Sequence, residues 1–280
     1  MSFFLVEQIS AGYGGREIIR DISFQLESGC FMGILGANGC GKTTLLKSIC
    51  GILPHRGRCL LEQTVLEELS ARQLAGRVGY IPQRSGISID ISVLDVVLMG
   101  FNPQLGLLER PGKRRMKEQA AQALERVGLA EKEEENYLCL SEGQKQLCIL
   151  ARTIVSESRL LLLDEPESAL DFRYRHRMLK LLRGWAAQER RAALVTLHDP
   201  SLALNVCDRL LLLSQGGVLG ILEPQTDPLE RMEPLLCQMY GKVSLQRCQN
   251  RRGESQLVML SEEESADESD YENHLSGRTG

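Results

Sequence analysis

The 280-residue chain is 43% hydrophobic and 25% charged, which supports a packed globular core and excludes a chain too polar to fold. A formal net charge of −4 supplies no basic field of the kind that draws a protein onto nucleic acid, so nucleic acid is not expected as a partner. No apolar run approaches the roughly 20 residues that span a bilayer, and residues 1–10 lack the basic flank and cleavage site of a secretory signal. A cytoplasmic protein that reaches a membrane only through partners is expected. The nine cysteines form no C-x-x-C pair and the four histidines are too few for zinc-finger spacing. They read as reduced thiols, mostly small core fillers, and no cysteine metal site is expected.

In chain order, Phe3–Ile9 and Ile22–Leu26 read as strands, with Gly12-Tyr13-Gly14-Gly15 as a turn between them. Phe31–Leu35 is a short apolar run that enters a glycine-rich loop, and Thr43–Cys50 reads as a helix stopped by Gly51 and Pro54. Val78–Ile81 is a further strand. From Ser92 to about Gly128 the pattern turns helical. Ser92 is placed as N-cap with Asp95 at the capping-box position, and Met116–Val127 carries apolar residues at helical spacing. Pro103 and Pro111 are expected to break this stretch into separate helices. Leu160–Leu163, Ala193–Leu197 and Leu210–Leu213 are apolar runs, Thr196 apart, as buried parallel strands tend to be, with a helix over Arg175–Gln188. Val218–Leu222 follows Gly216-Gly217 and is expected to pair with the strand before it. Ser261–Asn273 is dense in Glu, Asp and Ser and is expected to be disordered, as a solvated appendage or, alternatively, a docking peptide.

Two stretches carry chemistry. Gly36-Ala37-Asn38-Gly39-Cys40-Gly41-Lys42-Thr43 fits G-x-x-x-x-G-K-[ST] between a strand and a helix. Its glycines let successive backbone N–H groups point at phosphate oxygens, and the following helix presents its positive N-terminus to the same anion. Lys42 would then reach the β- and γ-phosphates and the Thr43 hydroxyl would ligate Mg²⁺. Leu160–Leu163 ends in Asp164-Glu165, which places one acid to hold Mg²⁺ and the next to polarise an attacking water. Cys40 lies beside a helix N-terminus and Lys42, both of which favour a thiolate; the other reading is a small residue that fills the loop.

With these residues together, the chain resembles the ATPase subunits of ABC transporters from about Phe3 to Leu222. The resemblance implies an α/β fold: a P-loop NTPase core of ABC type with an antiparallel β subdomain and an inserted helical subdomain. It divides the chain into an ATPase domain over residues 1–240 with the insert at about 92–150, a strand extension over 241–260, and the acidic tail over 261–280. Leu140-Ser141-Glu142-Gly143-Gln144 resembles the family signature, whose Ser141, Gly143 and Gln144 are expected on the γ-phosphate held by a second subunit. Gln83 resembles the Q-loop glutamine that senses Mg²⁺ and water, and His198 the switch histidine at the γ-phosphate. Asp171, in Ser168-Ala169-Leu170-Asp171, resembles the D-loop acid at the dimer seam, and Tyr13 the aromatic residue stacked on adenine. The expected catalytic set is therefore Lys42, Gln83, Glu165 and His198. Nucleotide contacts are expected from Tyr13, Gly36, Asn38, Gly39, Cys40, Gly41, Lys42, Thr43, Thr44, Gln83, Asp164 and Asp171, and Mg²⁺ contacts from Thr43, Gln83 and Asp164. Two positions depart from the family pattern: Glu142 replaces a signature glycine, and Glu167 stands where Thr is commoner.

Asp95-Val96-Val97-Leu98-Met99-Gly100 before Pro103, and Phe172 with His176-Arg177 after the D-loop, resemble the import ATPases for iron-siderophore, haem and cobalamin. Val243–Leu260, read as a final pair of strands, is similar to that group too. The resemblance implies ATP and Mg²⁺, a second ATPase subunit, integral membrane permease subunits and, indirectly, an extracytoplasmic substrate-binding protein. The chain would sit peripherally on the inner face of the cell membrane. A soluble ATPase of iron–sulfur cluster assembly and a regulatory ATP-binding module that never turns over are the alternatives.

Overall fold

The computed structural model describes residues 2–83, 87–101, 112–156, 158–168 and 170–262. It divides into two compact units, residues 1–226 and 227–280. The expected breaks at Pro103 and Pro111, Ala169 of the D-loop, and nearly all of the acidic tail lie outside the described residues.

The first unit contains two sheets. Strands β1 (Phe4–Tyr13), β2 (Arg16–Leu26), β4 (His55–Leu61) and β5 (Thr64–Val65) form an antiparallel sheet in the order β2-β1-β4-β5. The hairpin of β1 and β2 turns at Gly14 and Gly15, both at positive φ, so the turn occupies the last two residues of the predicted motif and Gly12-Tyr13 belongs to β1. The second sheet has the order β10-β9-β3-β8-β7-β6. It comprises β3 (Phe31–Leu35), β6 (Val78–Ile81), β7 (Leu160–Asp164), β8 (Ala192–Thr196), β9 (Arg209–Ser214) and β10 (Gly217–Leu222). Neighbours from β9 to β6 are parallel, and β10 closes the edge as an antiparallel hairpin with β9. β3, β7 and β8 are buried along their whole length, which explains their mostly apolar composition.

Helix α1 (Lys42–Ile49) follows β3, and its buried face, Leu45, Leu46 and Ile49, joins the core shared by both sheets. A short helix, α2 (Ala71–Ala75), precedes β6. The predicted helical insert contains α3 (Val93–Leu98), α4 (Lys113–Val127) and α5 (Glu142–Val155), which pack on one another and bury Val96, Leu124 and Leu150. At the start of α3 only half of the capping box forms. Ser92 Oγ accepts from Asp95 N at 3.0 Å and donates to Asp95 Oδ2 at 2.8 Å, since the Asp side chain is shorter than the usual Glu. Helices α6 (Phe172–Ala186) and α7 (Pro200–Val206) follow β7 and β8, capped by Asp171 and Asp199.

The second unit contains α8 (Leu229–Tyr240) and the hairpin of β11 (Val243–Gln249) with β12 (Ser255–Ser261). The boundary expected after residue 240 falls at residue 226 instead. The cause is α8, which binds the hairpin: Leu245 N donates to Glu233 Oε1 at 2.7 Å and Cys237 Sγ to Val243 O at 3.2 Å. No described helix is long and apolar enough to cross a membrane.

Candidate functional site

The loop between β3 and α1 is shaped by two glycines. A Cβ at Gly36 would lie 2.4 Å from Cys40 Sγ and 2.6 Å from Leu213 O, so the loop closes only over a hydrogen. Gly41, at φ 108°, opens α1, and a Cβ there would lie 2.3 Å from Ile19 Cγ2. No side chain caps α1 and no acid occupies its first turn, so its N-terminal N–H groups face the loop as an anion site. Lys42 is buried, and its ammonium is drawn into the loop by Gly36 O at 2.8 Å and Ala37 O at 3.4 Å. Gly39, at φ 80°, has nothing within 4 Å of an added Cβ and lies at the open side of the loop, beside exposed Asn38.

Asp164 ends β7 and is buried. Its Oδ1 accepts from Thr43 Oγ1 at 3.0 Å, so the last residue of the loop motif and the tip of the strand meet through oxygen atoms. These hard donors, with the Gln83 amide nearby, suit a small oxygen-loving cation such as Mg²⁺. Tyr80 Oη lies 3.5 Å from Asp164 Oδ2. Burial, reinforced by the Asp164 carboxylate, pushes the Tyr80 phenol up and keeps it a donor. Thr44 is buried behind the loop, where its carbonyl accepts from Ser48 Oγ at 2.9 Å.

Glu165 follows at φ 49°, a left-handed conformation that is strained for a residue with a side chain. Its Oε2 is approached by Gln83 Nε2 at 2.5 Å and His198 Nε2 at 2.6 Å. Two residues from separate strand ends, Gln83 after β6 and His198 after β8, thus converge on one carboxylate oxygen of Glu165, which follows β7. The loop, Asp164, Glu165, Gln83 and His198 form one constellation at the C-terminal edge of the parallel strands, the edge at which open α/β sheets hold ligands.

The remaining predicted residues lie outside this constellation, with no hydrogen bond joining them to it among the described residues. Ser141, Gly143 and Gln144 sit at the N-terminus of α5, where Ser141 and Gln144 form a full capping box. The Glu142 carboxylate folds back onto Lys145 at 2.8 Å instead of crossing the helix end, so the acid leaves the anion-binding backbone uncovered. Asp171 caps α6 through Tyr174 N at 3.0 Å. Tyr13 lies at the end of β1 and is 50% exposed, which leaves a ring face for stacking.

Cys40 corrects an expectation. Burial outweighs the pull of Lys42 and pushes its thiol up, so the residue is a neutral filler under Gly36 and not a thiolate. Glu167 is buried at 3% exposure, its Oε1 accepting from His198 N at 3.4 Å while Oε2 has no partner among the described residues. Burial pushes this carboxyl up.

Sequence reasoning missed two residues that organise the site. Thr196, fully buried at the end of β8, lies opposite Asp164 in the parallel register. Its Oγ1 accepts from Glu165 N at 2.8 Å and lies 3.0 Å from Asp164 Oδ1, so one hydroxyl fixes both acids. Gln146, on the second turn of α5, donates to Gln83 O at 2.5 Å and ties the signature helix to the Q-loop. A lone polar residue that closes an apolar strand was the available signal for Thr196; nothing in the local sequence marks Gln146.

The family model described as ABC transporter matches residues 19–168. The hemin import ATP-binding protein HmuV of Deinococcus radiodurans is 38% identical over 224 residues, 78% of this chain and 84% of that protein. Its counterpart in Vibrio cholerae is 34% identical, covering 83% and 89%. Among solved structures, one of a metal-chelate type ABC transporter in an inward-facing conformation superposes with a TM-score of 0.76. It is 27% identical and covers 94% of this chain and 99% of that one. The chain belongs to the ABC transporter family and is its ATP-binding, ATP-hydrolysing component.

Proposed function

We propose that the chain drives import of a metal chelate (haem, a siderophore or cobalamin) through separate membrane permease subunits, powered by MgATP bound between two copies of itself. The convergence of Gln83 and His198 on one oxygen of Glu165, beside the Thr43–Asp164 pair, carries the hydrolytic half of this reading. The cargo half is supported by relatives named for hemin import and by the metal-chelate type neighbour. The partners would include an extracytoplasmic substrate-binding protein and would hold the chain at the inner face of the membrane.

Each residue has a task in this account. Loop N–H groups and Lys42 hold the β- and γ-phosphates, with Lys42 leaving the Gly36 and Ala37 carbonyls to do so. Thr43, Asp164 and Gln83 would hold Mg²⁺, which offsets charge on the phosphate oxygens. Glu165 accepts a proton from the attacking water and His198 orients that carboxylate and the γ-phosphate. Ser141 and Gly143 of the second copy complete the anion site from across the seam, and Tyr13 stacks on adenine. Asp171 belongs to the seam as well, and closure moves the helical insert against the permease.

Phosphate release by the chain reconstituted with its permease subunits in proteoliposomes tests both halves. Turnover is expected to rise when permease is present, and Glu165→Gln is expected to retain ATP while turnover falls about 10²–10⁴-fold. Near-normal turnover in that variant contradicts the assigned base. Failure to bind permease, with intact hydrolysis, contradicts transport and favours a soluble role.

A further inference from the structure

A second cluster of ligating side chains lies on the antiparallel sheet, on different residues from the nucleotide site. His55 begins β4, Cys59 stands four residues later on the same face of that strand, and Glu67 comes from the 3-10 turn Leu66–Glu68 that packs against it. One nitrogen, one sulfur and one oxygen from these residues lie within 4.8 Å of one another. Cys59 is fully buried and the His55 side chain is 8% exposed. None of the three serves the chemistry derived above.

The contacts of His55 point to a cation. Its Nδ1 lies 3.4 Å from Leu53 O and its Nε2 lies 3.0 Å from Glu67 Oε1, and both neighbours are acceptors. A neutral imidazole has one N–H, so it satisfies one of these contacts and sets a lone pair against the other. With the Nδ1–H given to Leu53 O, Nε2 directs its lone pair toward Glu67. A backbone carbonyl that holds one ring nitrogen while the other is left to ligate is the usual support for a metal-bound histidine. The Glu67 carboxylate is itself anchored, since Oε1 accepts from Cys59 N at 2.8 Å.

We propose that His55, Cys59 and Glu67 form a binding site for one divalent transition-metal cation, with Zn²⁺ as the chemical fit. The donors are mixed nitrogen, sulfur and oxygen, which suits Zn²⁺ and disfavours Mg²⁺ or Ca²⁺. Ligand bonds of about 2.0–2.3 Å in a tetrahedron set donor atoms about 3.3–3.7 Å apart. The Nε2–Oε1 pair, at 3.0 Å, needs to open by about 0.3 Å, and the widest pair needs to close by at most about 1 Å. His55 and Glu67 also line a cavity of 810 Å³ together with Leu53, Ser48 and Ser158, which gives a water or a small ligand access to a fourth position. On binding, the Cys59 thiol proton leaves to solvent and the thiolate takes its place on the metal.

The test uses the full chain, stripped of metal by chelation and kept saturated with MgATP so that the nucleotide site is filled, titrated with Co²⁺ as the probe. One equivalent is expected to produce a near-ultraviolet thiolate-to-cobalt charge-transfer band, which added Zn²⁺ abolishes. Cys59→Ala is expected to lose the band, and Glu67→Gln, which keeps an acceptor for Cys59 N, to weaken Co²⁺ binding at least tenfold. If Cys59→Ala does not fold, the intact chain and Glu67→Gln decide. Absence of the band up to millimolar Co²⁺ overturns the proposal and leaves a hydrogen-bonded histidine–carboxylate pair. Survival of the band in folded Cys59→Ala, or unchanged affinity in Glu67→Gln, overturns it too.

Discussion

Replacing Thr196 by Val removes one hydroxyl from a fully buried position and keeps the side-chain shape. Two close interactions disappear, the Glu165 N–H losing its acceptor at 2.8 Å and Asp164 Oδ1 a neighbour at 3.0 Å, together with a longer contact to Leu163 O at 3.5 Å. A buried donor left unsatisfied costs about 1–3 kcal/mol, and a hydrogen bond to an ionised carboxylate contributes about 1.5–3 kcal/mol. A buried methyl group in place of the hydroxyl returns about 0.8 kcal/mol. The net loss is about 2–5 kcal/mol, which lowers Tm by roughly 5–15 °C in a unit of this size. Glu165, already at φ 49°, then lacks the hydroxyl that holds its backbone, and a ten- to hundredfold loss of kcat corresponds to about 1.4–2.7 kcal/mol of transition-state stabilisation. Urea unfolding and steady-state phosphate release read the two effects, with Thr196→Ser as the control that keeps the oxygen. Wild-type stability and kcat in Thr196→Val would refute the reasoning. So would equal damage from Thr196→Ser and Thr196→Val, since the hydroxyl would then be irrelevant.

Glu167→Gln should be more stable than the parent by about 1–3 kcal/mol at neutral pH, because a buried carboxylate oxygen without a partner is replaced by a neutral group. The folded carboxyl is held above its ordinary value, so the unfolded chain ionises first and the parent loses stability as pH rises. The gap should be small below about pH 4.5, widen above it and level off once the folded carboxyl has ionised; a constant gap in pH-dependent urea melts contradicts this. Gly41→Ala sets a Cβ 2.3 Å from Ile19 Cγ2 at φ 108°, and should lose nucleotide binding at least tenfold by equilibrium fluorescence titration while the fold persists. Unchanged affinity would mean that the loop does not need its left-handed residue.

The strands of the six-stranded sheet were the most legible part of the fold. β3 and β6 match their apolar runs to the residue, β7 and β9 extend theirs by one or two positions, and β8 is displaced by one to Ala192–Thr196, because the strands of a parallel sheet are apolar along most of their length. β4 was missed because His55-Arg56-Gly57-Arg58 shows no alternation; it is a strand through its pairing with β1, which shifts register between Glu7 and Ser10. α8 was hidden by Pro234 inside it, and its packing on the hairpin moved the domain boundary.

The candidate site divides in the same way. Lys42, Thr43, Asp164 and Glu165 sit in contiguous motifs whose spacing carries their geometry. Thr196 and Gln146 act across the fold, one through strand register and the other through a contact between residues 63 positions apart, and neither relation is written in local sequence. Of the two readings of Cys40, the sequence could not favour the filler, because the charge of Lys42 is visible there while the burial that outweighs it is not.

Nucleotide binding by Lys42→Ala, measured by equilibrium titration beside the parent chain, reaches the root of this account. The ammonium now bound to Gly36 O and Ala37 O is the one side-chain cation assigned to the phosphates, and its removal should weaken ATP binding at least tenfold and abolish phosphate release. Parental affinity and parental turnover in that variant would contradict the claim that this loop is where ATP is held and cleaved.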